Sequence, residues 1–362
     1  MPRRRARQSF SPTRVARALI GVVLVGAMLA VTSFVLIAAR GRDRGNAPSD
    51  AAFGLRREAQ AAYDEQRYAA SADAYRKLIE LYPCDFVLHF NRACALAHDG
   101  RADDAMASLA SAVRFGFEDV EVLGKSKALE PLRADARFAQ VEKDATAARD
   151  EQYIVYVPPN LDAKRPAPLV VLIHGRGSAP RNVLPMWTAT AEKLGAVLAL
   201  PKGATRLEPG RYAWEPEYPT DNAQLDWPAA DAAVDRAVAA ALAAHPNIDR
   251  SKVVLAGFSQ GGYVALRLLH DHPEKYLGVV TFVTVYNREG IDSWDGVAPK
   301  RAYLVAGALD TLCPHSRDAR DDLTAAGFDV RYDEVAGMSH EIPPEYEARQ
   351  ARALRFILEA RD

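Results

Sequence analysis

From residue 150 onward, short apolar runs alternate with longer stretches of helical periodicity. The runs at 151–158, 168–173, 197–200, 251–256, 278–285, 301–306 and 329–335 read as strands, and 168–173 (Pro-Leu-Val-Val-Leu-Ile) is the most apolar of them. Near-continuous apolar runs of this length are what strands buried on both faces require. Between them, 226–244, 262–269 and 345–360 carry helical patterns, the first rich in alanine. The alternation predicts an α/β domain with a mostly parallel sheet covered on both faces. The connection 286–299 is too short for a large cap, which predicts an open site. The segment 204–228 reads as a loop, with Tyr212, Trp214, Tyr218 and Trp227 among prolines and acids. Its aromatics are expected either to wall a substrate site or to pack the loop down, with Trp214 and Tyr212 the candidates for substrate contact.

The first 150 residues are patterned differently. Ala18 to Ala39 is a run of 22 residues without a charge, about 33 Å as a helix against a bilayer core of about 30 Å. A cleaved signal peptide has an apolar region of about 7–15 residues, so the run predicts an uncleaved transmembrane anchor. Six arginines precede it (residues 3, 4, 5, 7, 14 and 17) and three follow (40, 42 and 44). That excess predicts a single-pass protein with its basic tail, 1–17, in the cytoplasm and the domain beyond 150 on the far side of the membrane. Residues 40–51 read as a linker. Beyond them a 34-residue repeat places Ala59 on Ala93, Gln66-Arg67 on Gly100-Arg101, Ser71 on Ala105, Tyr75 on Leu109 and Leu78 on Ala112. This spacing resembles that of tetratricopeptide helix pairs. It predicts an all-α module over 52–149, with helices in 119–149 closing it and a protein partner as its natural use.

The formal charge of −1 conceals an asymmetry. Nine arginines and one aspartate fall in residues 1–44, leaving 37 basic against 46 acidic residues in the remainder. The remainder carries no basic patch of the kind that grips nucleic acid. Three cysteines make no disulfide framework. A helix between Cys84 and Cys94 would hold them about 14 Å apart, beyond the roughly 7 Å that a bridge tolerates. Cys313 reads as a packing residue.

Candidate chemistry gathers in the second half. Residues 257–261 read Gly-Phe-Ser-Gln-Gly, after a β-branched run and before a helical one. A serine on a sharp strand-to-helix turn is a nucleophile elbow, and small neighbours allow the turn its backbone angles and close approach. Ser259 is therefore the candidate nucleophile. A serine hydroxyl needs a base, and the base needs an orienting carboxylate. Asp310 follows the strand that ends at Gly307, and His340 follows the strand 328–335. Both fall in loops at the carboxyl edge of the sheet, where parallel α/β sheets bind ligands.

The other histidines have plainer readings. His270 and His272 suit the end of a helix, where a positive group meets the helix dipole. His315 lies too close to Asp310 in sequence to reach Ser259. His174 precedes the nucleophile and reads as a brace for the turn His174-Gly175-Arg176-Gly177. That turn can present the N–H of Arg176 to a developing oxyanion, with the N–H of Gln260 as the second donor.

Residues 150–362 resemble the small serine esterases of the carboxylesterase and phospholipase type, which include the acyl-protein thioesterases. Four blocks carry the resemblance, in order: LIHGRG, GFSQGGYVAL, AGALDTLCP and GMSHEIP. It implies an α/β-hydrolase fold, a Ser259–Asp310–His340 triad and hydrolysis of carboxylic ester or thioester bonds through an acyl-enzyme. It also implies no metal and no organic cofactor. The substrate would be a small-molecule or lipid-like ester. Arg176 departs from the pattern, since an apolar residue is common there, and so does Tyr286-Asn287. Two other readings stand beside it. One is a catalytically silent hydrolase scaffold whose repeats bind a protein partner. The other is a serine peptidase, which the lack of a propeller or large cap disfavours.

Overall fold

The computed structural model describes residues 47–162, 164–214, 227–288 and 290–359. These residues form one compact unit, helices and sheet together.

The chain enters through α1 (Ala47–Asp64), α2 (Tyr68–Leu81), α3 (Phe86–His98) and α4 (Ala102–Arg114), each packed on the next. The positions matched by the 34-residue repeat are inward: Ala59, Ser71, Leu78, Ala93, Ala105, Leu109 and Ala112 are all fully buried. Small side chains there let neighbouring helices approach closely. The repeat extends to backbone conformation. Gln66 and Gly100, which it pairs, both turn the chain at positive φ, +60° and +75°. The glycine does so freely, whereas the glutamine carries strain.

Two more helices follow, α5 (Val120–Lys125) and α6 (Ala136–Asp150). Asp85, Asp119 and Asp135 each accept a first-turn N–H, from Val87, Val122 and Arg137, and so cap α3, α5 and α6.

The sheet domain then runs β1 (Tyr153–Tyr156), β2 (Ala167–Ile173), α7 (Thr188–Leu194), β3 (Val197–Pro201), β4 (Thr205–Glu208), β5 (Arg211–Ala213), α8 (Trp227–Ala244), β6 (Ile248–Phe258), α9 (Gln260–Asp271), β7 (Gly278–Phe282), β8 (Arg301–Gly307), α10 (Cys313–Ala325), β9 (Asp329–Val335) and α11 (Tyr346–Leu358). Among the described residues seven strands form one sheet in the order β1-β3-β2-β6-β7-β8-β9, with only the β1–β3 pair antiparallel. Strand alternation divides the core in two. Leu169, Val171, Val279 and Leu304 face the apolar side shared with α8 and α9. Val170, Leu172, Val280 and Val305 face the side shared with α7 and α11. On α8 the inward stripe is Ala230, Ala233, Val234, Ala237 and Ala241, at helical spacing.

The sheet is the mostly parallel, doubly covered one that the pattern predicts, and the fold is the α/β-hydrolase fold that the resemblance implies. The pairings Ile173↔Gly257, Phe258↔Phe282, Phe282↔Val305 and Gly307↔Val335 align five strand ends at one edge.

Three expectations need correction. Among the described residues no helix is long and apolar enough to cross a membrane, which corrects the expectation of a single transmembrane helix, and of the single-pass localisation drawn from it, as far as the described fold goes. The run 18–39 lies outside the described residues. Second, 204–228 is not simply a loop. Residues 205–213 form the two-stranded β4–β5 hairpin, turned at Pro209-Gly210 with Gly210 at φ +74°. Third, β7 stops at Phe282, not at 285, because Val283 takes φ +46° and leaves the extended region.

Candidate active site

Ser259 closes β6 and caps α9 with φ +54° and ψ −121°. That region is essentially glycine territory, and a serine persists in it only where its surroundings over-determine the turn. Here they do. The Ser259 N–H donates to the Phe282 carbonyl (2.9 Å), and the Ser259 carbonyl accepts the Gly262 N–H (3.0 Å). A Cβ on Gly257 would stand 2.2 Å from the Gly261 carbonyl oxygen, so no larger residue fits under the turn.

Asp310 and His340 reach the same edge from the next two loops. The Asp310 side chain is 1% exposed. Its Oδ1 accepts the Leu312 N–H (2.9 Å) and its Oδ2 lies 2.9 Å from His340 Nδ1. The two loops are tied by the Leu309 N–H, which donates to the Met338 carbonyl at 2.9 Å. Gly307 makes room for that contact, since a Cβ there would sit 2.4 Å from the Met338 carbonyl oxygen. His340 Nε2 then lies 3.0 Å from Ser259 Oγ. A carboxylate only accepts, so Nδ1 carries the imidazole proton and Nε2 is left to accept from the serine hydroxyl. The structure thus brings Ser259, Asp310 and His340 into one hydrogen-bonded line.

The turn after β2 adjoins this line. A Cβ on Gly175 would be 3.2 Å from the Phe258 carbonyl oxygen and 3.5 Å from Ser259 Cβ, so the backbone that carries Arg176 runs over the elbow. His174 braces that turn. It is 1% exposed, its Nδ1 bonds the Gly175 carbonyl (2.8 Å), and its Nε2 accepts the Gly203 N–H (3.0 Å). Both bonds suit a neutral ring, and burial pushes its pKa down to about 4. Gln260 opens α9, where first-turn N–H groups lack helical acceptors.

Tyr212 and Trp214 do not line the site. They are 5% and 2% exposed, and each is satisfied within the fold. The Tyr212 hydroxyl donates to Glu118 Oε1 (2.7 Å), and the Trp214 indole donates to the His174 carbonyl (2.8 Å). They pack the hairpin down, which corrects the expectation of substrate contact.

The remaining histidines lie elsewhere. His315 bonds the Tyr286 carbonyl, His270 bonds Asp271 and the Ser293 carbonyl, and His272 faces Asp231. Cys313 is buried beside the Tyr332 hydroxyl. Among the described residues no three His, Cys, Asp or Glu side chains gather as a metal site.

A family profile described as phospholipase/carboxylesterase matches residues 160–348. The chain belongs to that family. That family groups phospholipases and carboxylesterases, enzymes that cleave ester bonds. A putative esterase, NocK, from Nocardia uniformis subsp. tsuyamanensis is 32% identical over 162 residues. The match covers 40% of this chain and 44% of that protein, less than half the length of the relative. Among solved structures, an uncharacterised protein from Bacillus cereus is 17% identical with a TM-score of 0.46, covering 84% of this chain and 98% of that one. Esterase PE8 is 24% identical with a TM-score of 0.44, covering 57% and 99%. Within the phospholipase/carboxylesterase match lie the elbow, both loops that meet it and the turn bearing Arg176.

The sequence gives no local sign of two features beside the site. Glu118 contacts Tyr212 across 94 positions of chain. Val283, a β-branched residue at positive φ, lies next to the Phe282 carbonyl that holds Ser259.

Proposed function

We propose that the chain hydrolyses carboxylic esters, thioesters included, by way of an acyl-enzyme on Ser259. One observation carries this reading: Ser259 Oγ, His340 Nε2, His340 Nδ1 and Asp310 Oδ2 are joined at 3.0 and 2.9 Å, with the serine on a strained elbow. His340 takes the serine proton as Oγ attacks the acyl carbon, and Asp310 keeps the ring in the required tautomer. The N–H groups of Arg176 and Gln260 stabilise the tetrahedral oxyanion. The alcohol or thiol departs with the proton from His340. Water then gives a proton to Nε2 as its oxygen attacks the acyl carbon, and His340 returns that proton to Ser259 Oγ as the Oγ–acyl bond breaks and the acid leaves. His340 is 40% exposed, which leaves its ring open to an incoming ester and to water.

The helices of 52–149 are read as a tetratricopeptide-like module, a class that binds protein segments. The support is the burial of the matched small residues and the shared turn conformation at Gln66 and Gly100.

Hydrolysis of p-nitrophenyl butyrate by the full chain tests the reading. Turnover that falls at least about 10³-fold in both Ser259→Ala and His340→Ala is expected. Undiminished turnover by folded Ser259→Ala overturns it.

A further inference from the structure

The side chain that Tyr212 meets belongs to the helical module. Glu118, just beyond α4, is 3% exposed, and its Oε1 accepts from both the Tyr212 hydroxyl (2.7 Å) and Arg206 Nε (3.0 Å). Lys202 completes the group. It is 7% exposed, its Nζ donates to the Arg149 carbonyl in the last turn of α6 (2.7 Å), and it lies 4.5 Å over the Tyr212 ring. Nearby, the Asn182 amide donates to the Phe115 carbonyl. Gly210 meets the Gly116 carbonyl so closely that a Cβ would stand 2.4 Å from its oxygen. The turn 115–118 therefore grips both the β4–β5 hairpin and the segment that follows the Arg176 turn.

The hairpin passes this grip to the elbow. The Gly177 N–H donates to the Tyr212 carbonyl (2.8 Å), and the Tyr212 N–H donates to the Ser178 carbonyl (3.0 Å). Two residues on, the Trp214 indole holds the His174 carbonyl (2.8 Å), and the Trp214 N–H donates to Gln260 Oε1 (3.2 Å). Both segments that carry the oxyanion donors are thus bonded to residues 212–214, and Tyr212 is bonded to Glu118. A carboxylate taken out of water gains little over a well-packed apolar pair in stability alone. What it adds is direction, because a hydroxyl and a guanidinium converge on one oxygen. Burial beside Glu118 also pushes the Tyr212 phenol upward, so it stays a donor at working pH.

We propose that Glu118 is a positioning residue for ester hydrolysis: from the helical module it fixes, through Tyr212, the 174–178 turn and the Gln260 side chain that together set the oxyanion donors. This rests on the acyl-transfer reading above. The helical module is then part of the catalytic apparatus and not only a spacer.

The test uses the full chain with p-nitrophenyl butyrate and with a trifluoromethyl ketone, whose adduct with Ser259 places an oxyanion in the hole. In Glu118→Ala, kcat falls roughly 10- to 100-fold, the scale of a donor displaced by about 1 Å. KM stays within about twofold. The ketone's inhibition constant rises by the same factor as kcat falls. Glu118→Gln, which keeps an acceptor oxygen, retains most of the activity. Tyr212→Phe shifts kcat and ketone binding in the same direction as Glu118→Ala, and it decides the matter should the alanine variant not fold. Unchanged kcat and ketone binding in folded Glu118→Ala or Tyr212→Phe overturns the proposal while leaving the hydrolase reading intact. So does a lowered melting temperature with ketone binding unmoved. A folded parent that neither turns over ester nor binds the ketone overturns the hydrolase reading, and this proposal with it.

Discussion

Gly261 lies so close beneath Ile173 that a Cβ on it would stand 2.1 Å from the Ile173 carbonyl oxygen. The contact presses the first turn of α9 against the end of β2, and so sets the Ser259 elbow beside the turn that carries Arg176. Backbone cannot move aside as a flexible side chain can. Gly261→Ala is expected to destabilise the fold by roughly 2–3 kcal/mol, the scale of overpacking in a rigid site. Urea unfolding followed by circular dichroism reads this as a lowered midpoint. An unchanged midpoint would mean that the two elements are not held as described.

The strain at Ser259 has its own consequence. At φ +54° and ψ −121° any side chain is disfavoured and glycine is not. Ser259→Gly should therefore be more stable than Ser259→Ala by about 1 kcal/mol, while both lose ester hydrolysis. Paired urea titrations of the two variants check the order. An alanine variant as stable as the glycine variant would remove strain from the account of the elbow.

His174 links stability to pH. Burial lowers its folded pKa to about 4 from the usual 6.5, so the unfolded chain binds the proton more readily. Its contribution is whole above pH 6.5, declines as pH falls through the window between the two values, and is lost below about 4. That difference corresponds to about 3 kcal/mol. His174→Asn is expected to be less stable than the parent at pH 7.5, since it disturbs the brace to Gly203, but to lose less on going to pH 4.5. Urea midpoints of both proteins at the two pH values measure the slope. Equal slopes would contradict the placing of a neutral, buried ring.

How much of this was legible depends on how local the signal is. The elbow was legible because Gly257, Ser259 and Gly261 lie within five residues between a strand pattern and a helix pattern. Asp310 and His340 were legible because each follows the end of an apolar strand, and parallel pairing carries those ends to one edge. The brace role of His174 followed from the same chain order. The hairpin β4–β5 was missed because its strands are short and partly polar. The Pro209-Gly210 pair was its available signal. Tyr212 and Trp214 misled because an aromatic in a proline-rich loop reads the same whether it meets substrate or its own fold. For Tyr212 the position of Glu118, fixed by the helical module, separates the two, and nothing near residue 212 encodes it. Val283 shows the same limit, since its positive φ is imposed by the neighbouring strand and not by residue type.

Cysteine reactivity offers an independent check on the helical module. Cys94 is buried on α3 and burial pushes its thiol up to about 12, while Cys84 is half-buried before that helix. Iodoacetamide at pH 8 should modify Cys84 ahead of Cys94 in the native chain, and Cys94 only after unfolding, because the thiolate is the reacting species. Peptide mass spectrometry over a time course resolves the order. Early native modification of Cys94 would place α3 differently from the packing described.

The central claim is that His340, oriented by Asp310, activates Ser259. The most direct measurement is reaction of the full chain with a fluorophosphonate, followed by mass mapping of the modified residue. The account predicts a single adduct on Ser259, absent from Ser259→Ala and slowed at least about 10²-fold in His340→Ala. A folded parent that takes no label, or an adduct on any other serine, would contradict it.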